Sequence, residues 1–405
     1  MSARQTLTQR GVAFLAAGAV LLAAGVLLGQ RDLTRLGVLV LGLLLACHGL
    51  ARWRPIAVSV ERAVSPSRIS VDERARVRVS TRNEADVRTP LLLAEERLDP
   101  GLGDRPRFTI PPTGAGTVSE VEYTIRPHLR GVHRLGPLDV WSRDPFGLTS
   151  ARRPTTGTDA VLVIPRIHDL TTGRALGRGV GSEGSVPHQV ALHGEDDQSI
   201  RDYREGDDLR RIHWPATARQ GTLMVRQEDR PARRRAVVLL DSRSGQHVGR
   251  GATSSFEWFV TMAASIASHF LDLGYAVHLL TSDPTADTGV RSDGDLDTML
   301  DTLATMRPGP DDGFRSVLRS AHLATGTGGL LVALVSALDE DGARALAALR
   351  QPGSTAVAFV HGASAEATRA TLASSGWLAS SVAGSEPPAR AWAVVTGASY
   401  VGSGR

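Results

Sequence analysis

Residues 11–29, from Gly11 to Gly29, carry no polar side chain, and no other feature limits the fold of this chain as much. Nineteen residues at about 1.5 Å each reach about 28 Å as a helix, close to the hydrocarbon thickness of a bilayer. A polar turn, Gln30-Arg31-Asp32-Leu33-Thr34-Arg35, leads into a second uncharged run, Leu36 to Ala51, with His48 near its end. A second helix that starts at Leu33 includes Arg35, whose guanidinium is expected to snorkel to the interface. A cleaved signal peptide would have a shorter apolar core and a small-residue cleavage site, which Gln30-Arg31-Asp32 does not supply. The expectation is a two-helix anchor over 1–54, packed closely through Gly11, Ala16, Ala17, Gly18, Ala23, Ala24 and Gly25. A hairpin puts both ends on one side. Arg4, Arg10, Arg52 and Arg54 flank those ends, while Arg31 and Arg35 sit in the turn. The balance tilts the body of this two-span cell-membrane protein to the cytoplasm.

Composition removes whole chemistries. Every one of the 46 basic residues is Arg, so there is no Walker A lysine, no pyridoxal Schiff base and no standard kinase lysine. The single Cys47 rules out a disulfide framework and multi-cysteine metal sites, and the missing disulfides agree with a cytoplasmic body. The net charge of +4 on 405 residues is too small an excess to create a basic field, so no nucleic-acid partner is expected. The length accommodates about two or three domains.

Residues 55–165 alternate at period two in Ile56–Val60, Ala75–Val79 and Val121–Ile125, punctuated by Pro111-Pro112, Gly114 and Gly116, as an antiparallel β-sandwich-like module would. Residues 166–235 hold a Gly-rich stretch, more a loop than a phosphate cradle, and then an Arg/Asp-rich segment. Over 236–397 apolar runs alternate with helical patterns. These are Ala236–Leu240, a helix near Phe256–Leu273, Tyr275–Leu280, helices at 295–306 and 313–323, Leu330–Leu338, a helix at Asp339–Leu349, Thr355–Val360, a helix at 364–374, and a late apolar run Ala391–Val395. That is the signature of a doubly wound α/β sheet, followed by a tail at 398–405. Ligands of such sheets sit at the carboxyl ends of strands, where Asp241 and Asp339 fall.

Residues 201–235 contain ten Arg against six Asp/Glu, interleaved, which favours a network of Arg–carboxylate pairs around Trp214 and His213. Within it, Tyr203-Arg204-Glu205-Gly206-Asp207-Asp208-Leu209-Arg210-Arg211-Ile212-His213-Trp214 runs on to Ala218-Arg219. This segment resembles the signature of the bacterial family called domain of unknown function fifty-eight. So do Arg130–Pro137, Arg143–Leu148 and the N-terminal hairpin. The resemblance implies that an α/β von Willebrand A-like domain follows the signature. It also implies an association with MoxR-type AAA+ ATPases and other membrane proteins.

A von Willebrand A-like domain that binds Mg²⁺ uses Asp-x-Ser-x-Ser after its first strand, a distant Thr and a later Asp, a set of hard oxygen ligands. Here the strand ends Asp241-Ser242-Arg243-Ser244-Gly245. Arg243 and Gly245 stand where the serines belong. Asp241, Ser244 and Asp339, with Thr325 or Thr327, make at best a degenerate site. Weak or absent Mg²⁺ affinity is expected, with Asp241 paired to Arg243 or capping a helix. His-Glu-x-x-His is absent, Gly362-Ala363-Ser364-Ala365-Glu366 lacks the second glycine of a nucleophile elbow, and His188, His193 and Glu195 read as loop residues. The leading expectation is a non-enzymatic membrane-tethered adaptor with no cofactor. The alternatives are a hydrolase using Asp207, Asp208 and His213, and an outward-facing adhesion module.

Overall fold

The computed structural model describes residues 4–53, 56–170, 199–203, 212, 214–227, 235–281, 289–290, 293–325 and 329–397. The chain divides into two compact units, residues 1–164 and 165–405.

In the first unit, strand β1 (Arg4–Leu7) leads into helix α1 (Gln9–Leu27), a turn, and helix α2 (Arg31–Trp53). Both helices are long and apolar enough to cross a membrane. Helix α1 buries Gly11, Gly18 and Gly25, one every seven residues and so on one face. A Cβ on Gly18 would lie 2.9 Å from the Leu41 side chain, and one on Gly25 would lie 2.5 Å from the Thr34 nitrogen. The glycines therefore allow backbone-close packing, as in lipid, where dispersion rather than water exclusion joins helices. Arg35 bonds Asp32 at 3.2 Å on the exposed end of the hairpin.

The β module follows as β2 (Val58–Ser65), β3 (Arg68–Ser70), β4 (Ala75–Asn83), β5 (Leu92–Leu98), β6 (Arg107–Ile110), β7 (Val118–Ile125), β8 (Gly131–Arg143), β9 (Thr149–Pro154) and β10 (Asp159–Ile164). The three alternating segments read from the sequence lie in one antiparallel sheet, β2-β4-β7. A seven-stranded sheet, β1-β9-β8-β10-β3 with β5 paired to β8 and β6 to β5, is the other layer. Ile69, Val77, Val79, Leu92, Leu135, Val140 and Val163 from the two sheets share one core. Buried charges of the module are paired: Arg62 with Glu96 and Asp159, both at 2.9 Å, and Asp139 with Arg97 and Arg152, both at 2.7 Å.

The second unit contains β11 (Ser199–Asp202), α3 (Trp214–Gln220), β12 (Met224–Gln227), β13 (Arg235–Leu240), α4 (Ser255–Asp272), β14 (Ala276–Leu280), β15 (Gly289–Val290), α5 (Asp293–Thr305), α6 (Phe314–Thr325), β16 (Leu330–Ser336), α7 (Glu340–Ala347), β17 (Ala356–His361), α8 (Ala365–Ser374), β18 (Leu378–Ser381) and α9 (Pro388–Thr396). Its six-stranded sheet runs β15-β14-β13-β16-β17-β18, parallel throughout except at the β15 edge. Strands buried on both faces read as unbroken apolar runs, and β16 is buried along its whole length. Val237, Leu239, Ala333 and Val360 pack with Val317, Leu346 and Leu372 of α6, α7 and α8. On the opposite face Trp258 of α4 and Trp392 of α9 meet the Phe359 ring. The late apolar run Ala391–Val395 belongs to α9, and its Ala391, Trp392 and Ala393 are buried.

Candidate functional site

The rim at the carboxyl ends of β13 and β16 holds the first candidates. Asp241 follows β13 directly and is fully buried. Its backbone N–H donates to the Leu334 carbonyl at 2.9 Å, which extends the strand pairing to the rim. A carboxylate there costs several kcal/mol unless its lone pairs are met. They are: Arg243 Nε donates to Oδ1 at 2.9 Å and Nη2 to Oδ2 at 2.7 Å, a bidentate fork. The Arg243 and Ser336 backbone N–H groups add bonds at 3.1 and 3.0 Å. The Arg243 guanidinium lies 4.7 Å from the centre of the Phe314 ring, a cation–π contact that holds the fork in place.

The remaining metal candidates do not join Asp241. Ser244 is exposed and its N–H donates to the Gly309 carbonyl at 2.9 Å. Asp339 is the N-cap of α7 and accepts from Gly342 N at 2.9 Å. Thr325 is the last residue of α6, and Thr327 lies outside the described residues. Among the described residues no cluster of three or more His, Cys, Asp or Glu is placed to hold a metal ion. A cationic fork occupies the Asp241 oxygens, so the donor set does not suit Mg²⁺.

Beneath the rim, His247 was not singled out by its sequence context. Its Nε2 lies 3.1 Å from the Asp241 carbonyl and its Nδ1 3.1 Å from Ser255 Oγ. A carbonyl only accepts, so Nε2 carries the hydrogen. Ser255 Oγ accepts the Val248 N–H at 3.1 Å and donates to Nδ1. Burial holds the ring below the ordinary histidine value despite the nearby Asp241 charge, which favours the neutral form with Nδ1 accepting from the Ser255 hydroxyl.

A cleft of about 1280 Å³ opens beside the rim between α6 and α7. Phe314, Leu318, Leu338 and Leu349 give it apolar walls, and Arg243, Arg315, Arg319 and His322 line it together with Asp311, Asp339 and Asp341. Its acids are engaged: Asp339 caps α7, Asp341 pairs with Arg344 at 3.4 Å, and Asp311 accepts from Gly245 N at 3.0 Å. Arg315 and Arg319 make no ion pair among the described residues. Backbone N–H bonds leave the Asp311 and Asp339 charges in place, so the cleft presents charges of both signs. The only sequence signal for this wall was the i,i+4 spacing of the two arginines on an amphipathic helix.

Of the signature residues, Gly206, Asp207, Asp208, Arg210, Arg211 and His213 lie outside the described residues, as do His188, His193, Glu195 and the Gly-rich stretch 171–187. β11 pairs with β12 in an antiparallel ribbon, with α3 between them in sequence. Trp214 opens α3 and is 66% exposed, and most of the arginines and carboxylates expected around it lie outside the described residues. Ala218 and Arg219 are exposed on the same helix.

Comparisons with known proteins add little geometry. A CARDB domain from Pyrococcus furiosus is 15% identical over 27% of this chain and 96% of its own, with a TM-score of 0.21. Pseudomonas fluorescens alkylpurine DNA glycosylase AlkC is 16% identical over 33% of this chain and 39% of its own, with a TM-score of 0.20. A β-glucosidase from Erythrobacter marinus is 13% identical over 27% of this chain and 16% of its own, with a TM-score of 0.18. None of these is similar enough to carry an argument. No curated protein matches the chain. Over residues 199–351, a stretch from β11 past α7 that is under half of the chain, it is similar to the family described as protein of unknown function DUF58.

Proposed function

We propose that this chain is a membrane-tethered, non-enzymatic interaction protein of the DUF58 type. Its α/β unit is a von Willebrand A-like module that docks its partner at the strand-end rim without a divalent ion. The observation that carries this reading is the Asp241–Arg243 fork. A metal-dependent rim leaves its aspartate open to a cation, whereas here the chain supplies its own. The adjoining cleft, with apolar walls, charges of both signs and two arginines, Arg315 and Arg319, that make no ion pair among the described residues, suits a partner segment that mixes apolar and charged side chains. The partner proposed is a MoxR-type AAA+ ATPase, as the resemblance of the 203–219 segment implies, with the body on the cytoplasmic side.

The test is crosslinking and affinity purification of the tagged full chain from native membranes, with and without ATP, beside the Arg315→Glu/Arg319→Glu variant. Both arginines are exposed, so the variant keeps the fold. An AAA+ ATPase enriched with the wild type and lost in the variant is the expected result. No reproducible ATPase overturns the partner assignment, and equal enrichment with the variant overturns the cleft as its seat.

A further inference from the structure

The turn between β8 and β9, Asp144-Pro145-Phe146-Gly147-Leu148-Thr149, is bound to the hairpin rather than hanging free. Thr8, the N-cap of α1, donates its backbone N–H to the Leu148 carbonyl at 3.0 Å and its hydroxyl to the Gly147 carbonyl at 2.6 Å. A Cβ on Gly11 would lie 2.1 Å from the Leu148 oxygen, so turn and helix meet at backbone contact. The Leu148 side chain is buried against Leu44 and Cys47 of α2.

Those contacts fix the depth of the turn. Leu44 and Cys47 stand about 20 and 24 Å along α2 from Arg31, and Gly11 about 24 Å along α1 from Leu27, at about 1.5 Å per residue. The hydrocarbon core is about 30 Å thick. Measured from the charged Arg31–Asp32 end, Leu148 falls inside that slab or at its far edge.

The internal bonding of the turn suits that depth. Asp144 Oδ1 accepts from Phe146 N at 2.8 Å, Oδ2 accepts from the Thr149 N–H and, at 3.0 Å, from the Thr149 hydroxyl. Asp144 O accepts from Gly147 N at 3.0 Å. These bonds meet the hydrogen-bonding capacity of the turn, while the Asp144 charge keeps the turn at the hydrocarbon edge rather than within it. They also hold the Asp144 carboxyl below its usual range, although burial alone would raise it. Against this self-contained polar frame, Phe146 is 59% exposed and Leu7, beside Thr8, is 37% exposed.

We propose that this turn is a third membrane contact, seated at the hydrocarbon edge beside the hairpin, with Phe146 inserted into the bilayer as an interfacial anchor. The proposal rests on the reading of α1 and α2 as membrane spans. It gives the β module a fixed lipid-facing corner, because two helices and one aromatic turn resist rotation where a single tether would not.

The test uses the full chain with Cys47→Ser, in phosphatidylcholine/phosphatidylglycerol liposomes, carrying one nitrobenzoxadiazole-labelled cysteine at a time. The labelled positions are Val20→Cys in mid-α1, Phe146→Cys, and His128→Cys, three residues before the far end of β8, a strand that spans about 40 Å at about 3.3 Å per residue. Lipids bearing a nitroxide at shallow or deep acyl positions quench the dye. Label 20 should lose most emission with the deep nitroxide, label 146 with the shallow one, and label 128 with neither. If label 146 behaves like label 128 while label 20 is quenched, the turn is not a membrane contact and the spans stand. If label 20 is also unquenched, the spanning reading fails and takes this proposal with it.

Discussion

Arg243 does at this rim what a cation would do elsewhere. Its planar fork satisfies both oxygens of a carboxylate that the fold has removed from water, and Phe314 restrains it from the other side. Truncating one partner of a buried pair leaves the other uncompensated. Arg243→Ala is therefore expected to cost about 3 kcal/mol of stability, read by denaturant unfolding of the full chain in detergent. Arg243→Lys keeps the charge but loses the fork and should fall between. A variant as stable as the wild type would mean that the Ser336 and Arg243 backbone bonds suffice alone. A second residue-scale expectation concerns pH. Burial comes first among the causes that hold His168, His247 and His269 below the ordinary histidine value. The unfolded chain takes up those protons near pH 6.5 while the folded chain does not, so stability is fully present above that pH and falls as pH drops below it. The slope is at most about 1.4 kcal/mol per pH unit for each ring, and less because these rings keep some solvent contact. His247→Gln retains a donor for the Asp241 carbonyl and should flatten the slope between about pH 6.5 and 5. An unchanged slope would contradict a neutral buried ring.

At the scale of elements, the hairpin separates glycines that matter from glycines that do not. A Cβ on Gly25 would strike the Thr34 backbone, whereas one on Gly42 meets nothing within 4 Å. Gly25→Leu should cost about 1–3 kcal/mol by overpacking, while Gly42→Leu should stay within about 0.5 kcal/mol, both read by thermal unfolding in detergent. Equal effects would argue against this packing. The two long apolar helices were legible from their unbroken apolar runs, and the three alternating strands of one β sheet and the strands β13 and β16, before Asp241 and Asp339, because burial imposes their pattern. Strand β1 was not, since Arg4-Gln5-Thr6-Leu7 reads as a helix flank until β9 pairs with it. Strand β18, Leu378-Ala379-Ser380-Ser381, is too short and polar to signal an edge. The run Ala391–Val395 has no period to tell strand from helix, and packing around Trp392 settles it as α9. The alternative of an Asp241–Arg243 pair was readable at i,i+2, but the cleft wall built by Arg315 and Arg319 required the fold.

For the whole molecule, the hairpin of two long apolar helices and the β module form one unit and a mostly parallel-sheet module forms the other. The central claim is that the rim of the second unit is complete without a metal. It is tested most directly by titrating Mg²⁺ into the purified full chain, following both heat and the unfolding temperature. No saturable heat and no rise in unfolding temperature are expected up to millimolar Mg²⁺. Binding tighter than about 100 µM, about 5.5 kcal/mol, together with a raised unfolding temperature and loss of both in Asp241→Ala, would show that Arg243 yields its place to the ion and would contradict it.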